Sequence, residues 1–135
     1  MLKIPASLRT TADINGYSDA AQARKNAMHK DGAKFLKELA GALGLSKPEY
    51  SIRSNVAGIA VSGEVTLHAD HLYVQLGESM FKPGLQLLYR SCKNQKDYTG
   101  GQNNFIQMSE LVDSERQAKY VRACASLMAR AAAQV

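Results

Sequence analysis

Residues 59–77 read IAVSGEVTLHADHLYVQLG, and the period of this stretch decides the fold class. Ile59, Val61, Val65 and Leu67 alternate with Ala60, Ser62, Glu64, Thr66 and His68, the spacing of a strand with one buried face. Ala69-Asp70-His71 reads as a short reversal, after which Leu72, Val74 and Leu76 alternate with Tyr73, Gln75 and Gly77. Two alternating runs joined this way predict an antiparallel hairpin. Tyr50–Ser54 before it and Leu85–Cys92 after it extend the pattern to four strands. Between the last two, Gly77–Gly84 contains Lys82-Pro83-Gly84 and reads as a turn.

Working outward, the period changes to that of a helix on both sides. Ala27, Met28, Phe35, Leu36, Leu39 and Leu43 recur at three- and four-residue intervals, so they share one helical stripe. Ser18 or Asp19 supplies an N-cap, and Asp19 with Gln22 has capping-box spacing. Gly32 weakens the middle of this helix by about 1 kcal/mol relative to alanine and marks a candidate bend. Gly44-Leu45 suits a left-handed C-cap, and Lys47-Pro48 prevents continuation. Arg24, Lys25, Lys30, Lys34 and Lys37 give the opposite face a basic character. At the other end, a helix starting from Ser109 or Asp113 carries Val121, Cys124, Ala125 and Met128 as its apolar stripe. Arg116, Lys119, Arg122 and Arg130 make its remaining face basic.

The expected architecture is α+β: a four-stranded, mainly antiparallel sheet flanked by N-terminal and C-terminal helices. A sheet with one solvated face cannot bury its apolar side alone, so both helices should cover that side. Residues 1–17 read as an irregular arm and residues 18–135 as a single α+β domain.

A chain of 135 residues suits one core, and 45% hydrophobic with 21% charged residues argues against wholesale disorder. Without tryptophan, that core rests on aliphatic residues, methionine and alanine. The net charge of +5 permits attraction to nucleic acid or to an acidic protein, and by itself speaks to solubility and association rather than fold. Cys92 and Cys124 match no metal or redox spacing and read as buried free thiols. No apolar run approaches the roughly 20 residues that span a bilayer, and the N-terminal stretch lacks the apolar core of a secretory signal. The expectation is a reduced, cytoplasmic protein with no membrane partner.

Function is sought first in Leu88–Asn104, LYRSCKNQKDYTGGQNN. A long polar connector with an aromatic residue and paired glycines binds something or is itself pinned. As a binding loop, Arg90, Lys93 and Lys96 supply charge, Gly100 and Gly101 allow close backbone approach, and Tyr98 offers a stacking face. As a structural loop, Asp97 and Thr99 close a turn, Asn103 or Asn104 is left-handed, and Tyr98 packs back on the sheet. Tyr98 is then expected partly buried, and Lys93 and Lys96 exposed.

His68-Ala69-Asp70-His71 places three metal-capable side chains at a reversal, but the turn splays them, so solvated histidines and no metal are expected. The candidate acids Glu64, Asp70, Glu78 and Asp97 and the candidate nucleophiles Ser79, Ser91 and Cys92 fall in no catalytic motif, and no cofactor signature appears. An enzyme is therefore the weaker reading. The stretch from Ser51 to Asn104 resembles small uncharacterised proteins of bacterial and phage genomes. Gly63-Glu64-Val65, Tyr89-Arg90-Ser91-Cys92 and Lys96-Asp97-Tyr98-Thr99-Gly100-Gly101 carry that likeness. It implies a phage or prophage accessory protein and adds no activity, ligand or catalytic residue.

The leading expectation is a small basic, non-enzymatic module that contacts nucleic acid or an acidic protein through Arg90, Lys93, Lys96, Asp97, Tyr98, Gly100 and Gly101. The alternatives are a small enzyme or ligand-binding protein with its pocket at the Lys93–Asn104 loop, using Glu64, Arg90, Asp97 and Tyr98 with Gly100-Gly101 giving room for the ligand, and a structural protein that self-associates.

Overall fold

The computed structural model describes residues 1–134 and has an α+β fold, an antiparallel sheet flanked by the N- and C-terminal helices. Its strands are β1 (Tyr50–Asn55), β2 (Glu64–Ala69), β3 (Leu72–Glu78), β4 (Leu85–Ser91) and β5 (Asn104–Gln107). They lie side by side in chain order, and every pairing is antiparallel. The helices are α1 (Ala6–Arg9), α2 (Asp19–Ala42) and α3 (Ser114–Ala133). Among the described residues, no helix is long and apolar enough to cross a membrane.

The central hairpin is antiparallel as expected, and its register sets Val65 opposite Leu76 and Leu67 opposite Val74. Those four side chains are fully buried with Phe35, Leu36, Leu39 and Leu87. Helix α2 runs through Gly32 without interruption. A Cβ there would lie 2.6 Å from Leu76 Cδ2, so the missing side chain lets the helix approach the sheet closely. At the end of α2, Leu45 N–H donates to Ala40 O (2.9 Å) and Gly44 has φ 76°, the left-handed cap read from the sequence. Asp113 caps α3 by accepting from Arg116 N (2.9 Å), and Tyr120, Gln117 and Cys124 form its buried side. Ala125, placed on that stripe from spacing, is exposed.

Three expectations change. The sheet has five strands rather than four, because Asn104–Gln107 pairs with Gln86–Tyr89 at the end of the long connector. The second strand starts at Glu64, not at Ile59. Ile59 and Val61 are 61% and 48% exposed in a loop that precedes it. That loop is held by α2 instead of by a strand neighbour: Gln22 Nε2 donates to Ile59 O (2.6 Å) and Lys25 Nζ to Gly58 O (2.8 Å). His29 Nε2 lies 2.7 Å from Ser62 O, and a carbonyl can only accept, so Nε2–H donates to it, while Nδ1 is hydrogen-bonded to Ser54 Oγ at 2.6 Å. Lys25 is thereby buried and leaves the basic face, whereas Lys30, Lys34 and Lys37 remain exposed.

The third change concerns residues 1–17. They contain α1 and insert Leu8 and Ile14 into the core, at 0% and 2% exposure. Leu2 N donates to Gln117 Oε1 (2.7 Å), Gln117 Nε2 returns a bond to Leu2 O (3.1 Å), and Ser7 Oγ donates to Asp31 Oδ2 (2.6 Å). The segment is fastened to both long helices.

Candidate functional site

Strand alternation sends Val65, Leu67, Val74, Leu76 and Leu87 toward the helices and the intervening residues to the other side. Contacts from α2 reach β1 and β2, and those from α3 reach β3 and β4. Among the described residues, no helix covers the outward side. Its register aligns Ser51, His68, Tyr73 and Arg90 in one cross-strand row. Arg53, Thr66, Gln75, Leu88 and Phe105 form the next row. At one end of this open face Tyr98 packs edge-on against His68, with centroids 4.9 Å apart; at the other Phe81 meets Phe105 at 5.2 Å.

The row through His68 is an aromatic and cationic cluster. The ring of His68 is also edge-on to Tyr73 at 5.1 Å, and the Arg90 guanidinium lies 4.6 Å from the Tyr73 ring centroid. Arg90 Nη2 donates to Tyr98 O (2.6 Å) and Nη1 to Asn103 Oδ1 (3.4 Å), so this arginine ties the connector to the sheet. Burial lowers the His68 pKa and keeps the imidazole neutral at pH 7. At 3% exposure it is not the solvated turn residue expected. A cavity of about 220 Å³ opens beside the cluster, lined by Ser51, Arg53, Asn55, Glu64, Thr66, His68, Tyr73 and Tyr98.

The connector is built around Asp97. Its carboxylate accepts from Lys93 N (2.9 Å), Thr99 N (3.1 Å) and Thr99 Oγ1 (3.3 Å). The left-handed residue is Gly101, at φ 76°, in place of Asn103 or Asn104. A Cβ on Gly101 would collide with the carbonyl oxygen of Ser91, so the loop closes only with glycine there. Lys93, Asp97, Gly100 and Gly101 line a second cavity of about 530 Å³ with Ser91, Cys92, Asn94 and the end of α3. Arg90 and Tyr98 instead belong to the open face, and Lys96 is exposed beside them in sequence but lines neither cavity. Lys93 is exposed too, while Tyr98 is 54% exposed, more than a loop anchor needs.

This division bears on chemistry. Glu64 and Asp97 face different cavities, and the Asp97 carboxylate is occupied by backbone donors. Those donors lower its pKa, which suits an anchor and not a proton acceptor. Burial pushes the Cys92 thiol up to about 11, so it is not a thiolate at neutral pH. Among the described residues, no group of three or more His, Cys, Asp or Glu is placed to hold a metal ion.

The anchor role of Asp97 gives a local prediction. Because its folded pKa is depressed, its bonds to Lys93 and Thr99 contribute above the ordinary carboxylate range and are lost as pH falls through the folded pKa. Amide exchange at Lys93 and Thr99 should accelerate several-fold in Asp97→Asn near neutral pH, with the sheet amides unchanged. Unaltered protection at both positions would remove Asp97 from this role.

In the sequence, none of Arg53, Thr66, Tyr73, Phe81 and Phe105 stands out as a site residue, and His68 does so only as a metal ligand. The signal for most of them was present, since they occupy the outward positions of alternating strands. Comparison with family models, curated proteins and solved structures yields no match to this chain.

Proposed function

We propose that this chain is a non-enzymatic module that binds single-stranded nucleic acid across the open face of its sheet. The observation that supports it best is the segregation of the layers. Both long helices cover one face, leaving Tyr98, Phe105 and Arg53 exposed on the other, where the Arg90 guanidinium lies over the buried ring of Tyr73. Unpaired bases expose their ring faces and stack on aromatic side chains and guanidinium planes, which a duplex prevents. Five strands at about 4.8 Å spacing make a platform about 19 Å wide, room for roughly two or three bases. Lys96, exposed two residues before Tyr98 in the chain, adds positive charge that would attract phosphates. The phage or prophage accessory role implied by the resemblance, and a cytoplasmic setting in which Cys92 and Cys124 stay reduced, belong to the same reading.

Fluorescence anisotropy with labelled single-stranded and duplex oligonucleotides over a range of salt tests the proposal. Single strands should bind more tightly than duplexes, with affinity falling steeply as salt rises. Tyr98→Ala should weaken binding about tenfold through lost stacking. No binding at low salt would end the nucleic-acid reading. Equal affinity for duplex, single strand and polyglutamate would point instead to an unspecific response to negative charge, as an acidic protein surface would give.

A further inference from the structure

The cavity on the open face contains a feature that general attraction to phosphate does not explain. Arg53 stands opposite Thr66, and Asn55 stands opposite Glu64. Arg53 and Glu64 are therefore diagonal neighbours on the same side of the hairpin, within reach of a common ligand. Asn55 Nδ2 donates to Glu64 Oε1 (2.8 Å), which orients the carboxylate and leaves Oε2 without a protein partner. A carboxylate on a nucleic-acid surface repels phosphate, so it lowers affinity unless it selects something. The opposite end of the cavity is walled by His68, Tyr73 and Tyr98, and Nε2 of the buried His68 has no hydrogen-bond partner.

A guanidinium and an oriented carboxylate beside aromatic walls fit a planar heterocycle that offers an acceptor next to paired donors. Guanine has this edge: O6 accepts, while N1–H and N2–H are adjacent donors that match the two oxygens of a carboxylate. Adenine and cytosine each place one amino donor beside a ring nitrogen acceptor, which a carboxylate repels. Uracil and thymine flank their one N–H with two carbonyls. We propose that the cavity receives one unstacked guanine, with Glu64 accepting from N1–H and N2–H and Arg53 donating to O6. This inference rests on the single-strand reading above and adds a base preference to it.

The test uses short single strands that differ at one central base, with guanine, adenine, cytosine, thymine or hypoxanthine at that position, at fixed salt. Guanine should bind about tenfold more tightly than adenine or thymine. Hypoxanthine, which keeps O6 and N1–H but lacks the N2 amino group, should fall between them. Glu64→Gln, with one acceptor in place of two, should abolish the preference while leaving the other strands bound as tightly or more so. Arg53→Lys, which keeps the charge but loses the planar fork, should reduce the guanine advantage without erasing salt dependence. Equal binding of all five strands by the unmodified protein would overturn the guanine pocket and leave the single-strand reading standing. Failure to bind any of them would overturn both.

Discussion

Leu8→Ala is expected to lower the unfolding free energy by about 3 kcal/mol, within the range for a fully buried leucine truncated to alanine. The residue is 0% exposed, although it lies in a helix of only four residues close to the N-terminus. A helix that short does not persist alone in water, so α1 exists because packing holds it. Its neighbours are α2 and the 3₁₀ turn Met108–Val112 that leads into α3. Truncating Leu8 leaves a void between those elements and loosens the arm that also delivers Ile14. Urea denaturation should show a lower midpoint at an unchanged slope, and melting should fall by roughly 10 °C for a chain of this size. Arg9→Ala, on the exposed side of the same helix, should change stability by less than about 0.5 kcal/mol. If Leu8→Ala matched that control, the N-terminal segment would be an appendage rather than part of the core.

The N-terminal result marks where the sequence stopped being legible. Residues 1–17 hold too few apolar residues at any regular spacing to declare a helix or a strand, so their burial depends on tertiary partners. Leu8 and Ile14 are isolated apolar residues whose value lies in filling gaps left by elements far away in the chain. Periodicity reports faces of regular elements and is silent about such plugs. The same limit hid β5, whose four residues are too few for an alternation to stand out. The long elements were readable because each buried position repeats: Phe35, Leu36 and Leu39 in α2, and Val65, Leu67, Val74 and Leu76 in the hairpin.

Misreading of the first half of residues 59–77 has a different cause. Ile59 and Val61 continue the alternation of Val65 and Leu67, yet the four do not share a strand. Side chains from α2 compete for the carbonyls of Gly58, Ile59 and Ser62, and a local pattern cannot show a competitor some thirty residues away. The candidate site was legible in part. The connector from Leu88 to Asn104 does carry Arg90 and Tyr98 to the open face, but it sends Lys93, Asp97, Gly100 and Gly101 to another cavity. Residues adjacent in a looping chain need not share a surface. Arg53, Thr66, His68 and Tyr73 are separated in sequence and converge only through strand register.

Gly63→Ala is expected to cost about 4 kcal/mol, near the upper end for a single substitution. Gly63 has φ 67°, and holding alanine in that left-handed conformation costs roughly 1 kcal/mol by itself. The larger part is steric. A Cβ would collide with the carbonyl oxygen of Asn55 and lie 3.0 Å from the carbonyl carbon of Val56. Both obstacles are backbone, so no rotamer change relieves them. Relief requires the end of β1 to move away from the start of β2, where Asn55 pairs with Glu64. That movement would also strain the loop that Lys25 and His29 hold from α2. Gly58→Ala is the matching control: it lies in the same loop, its φ is not positive, and its nearest neighbour to a Cβ is Val61 Cγ2 at 3.9 Å. It should change stability by less than about 1 kcal/mol. Urea midpoints for the two variants, with amide exchange along β1 and β2, separate these outcomes. Fast exchange should spread from the 56–63 loop into both strands in Gly63→Ala alone. Equal, small effects at the two glycines would mean that the loop adapts, and that the placement of Glu64 beside Arg53 does not depend on the turn at Gly63.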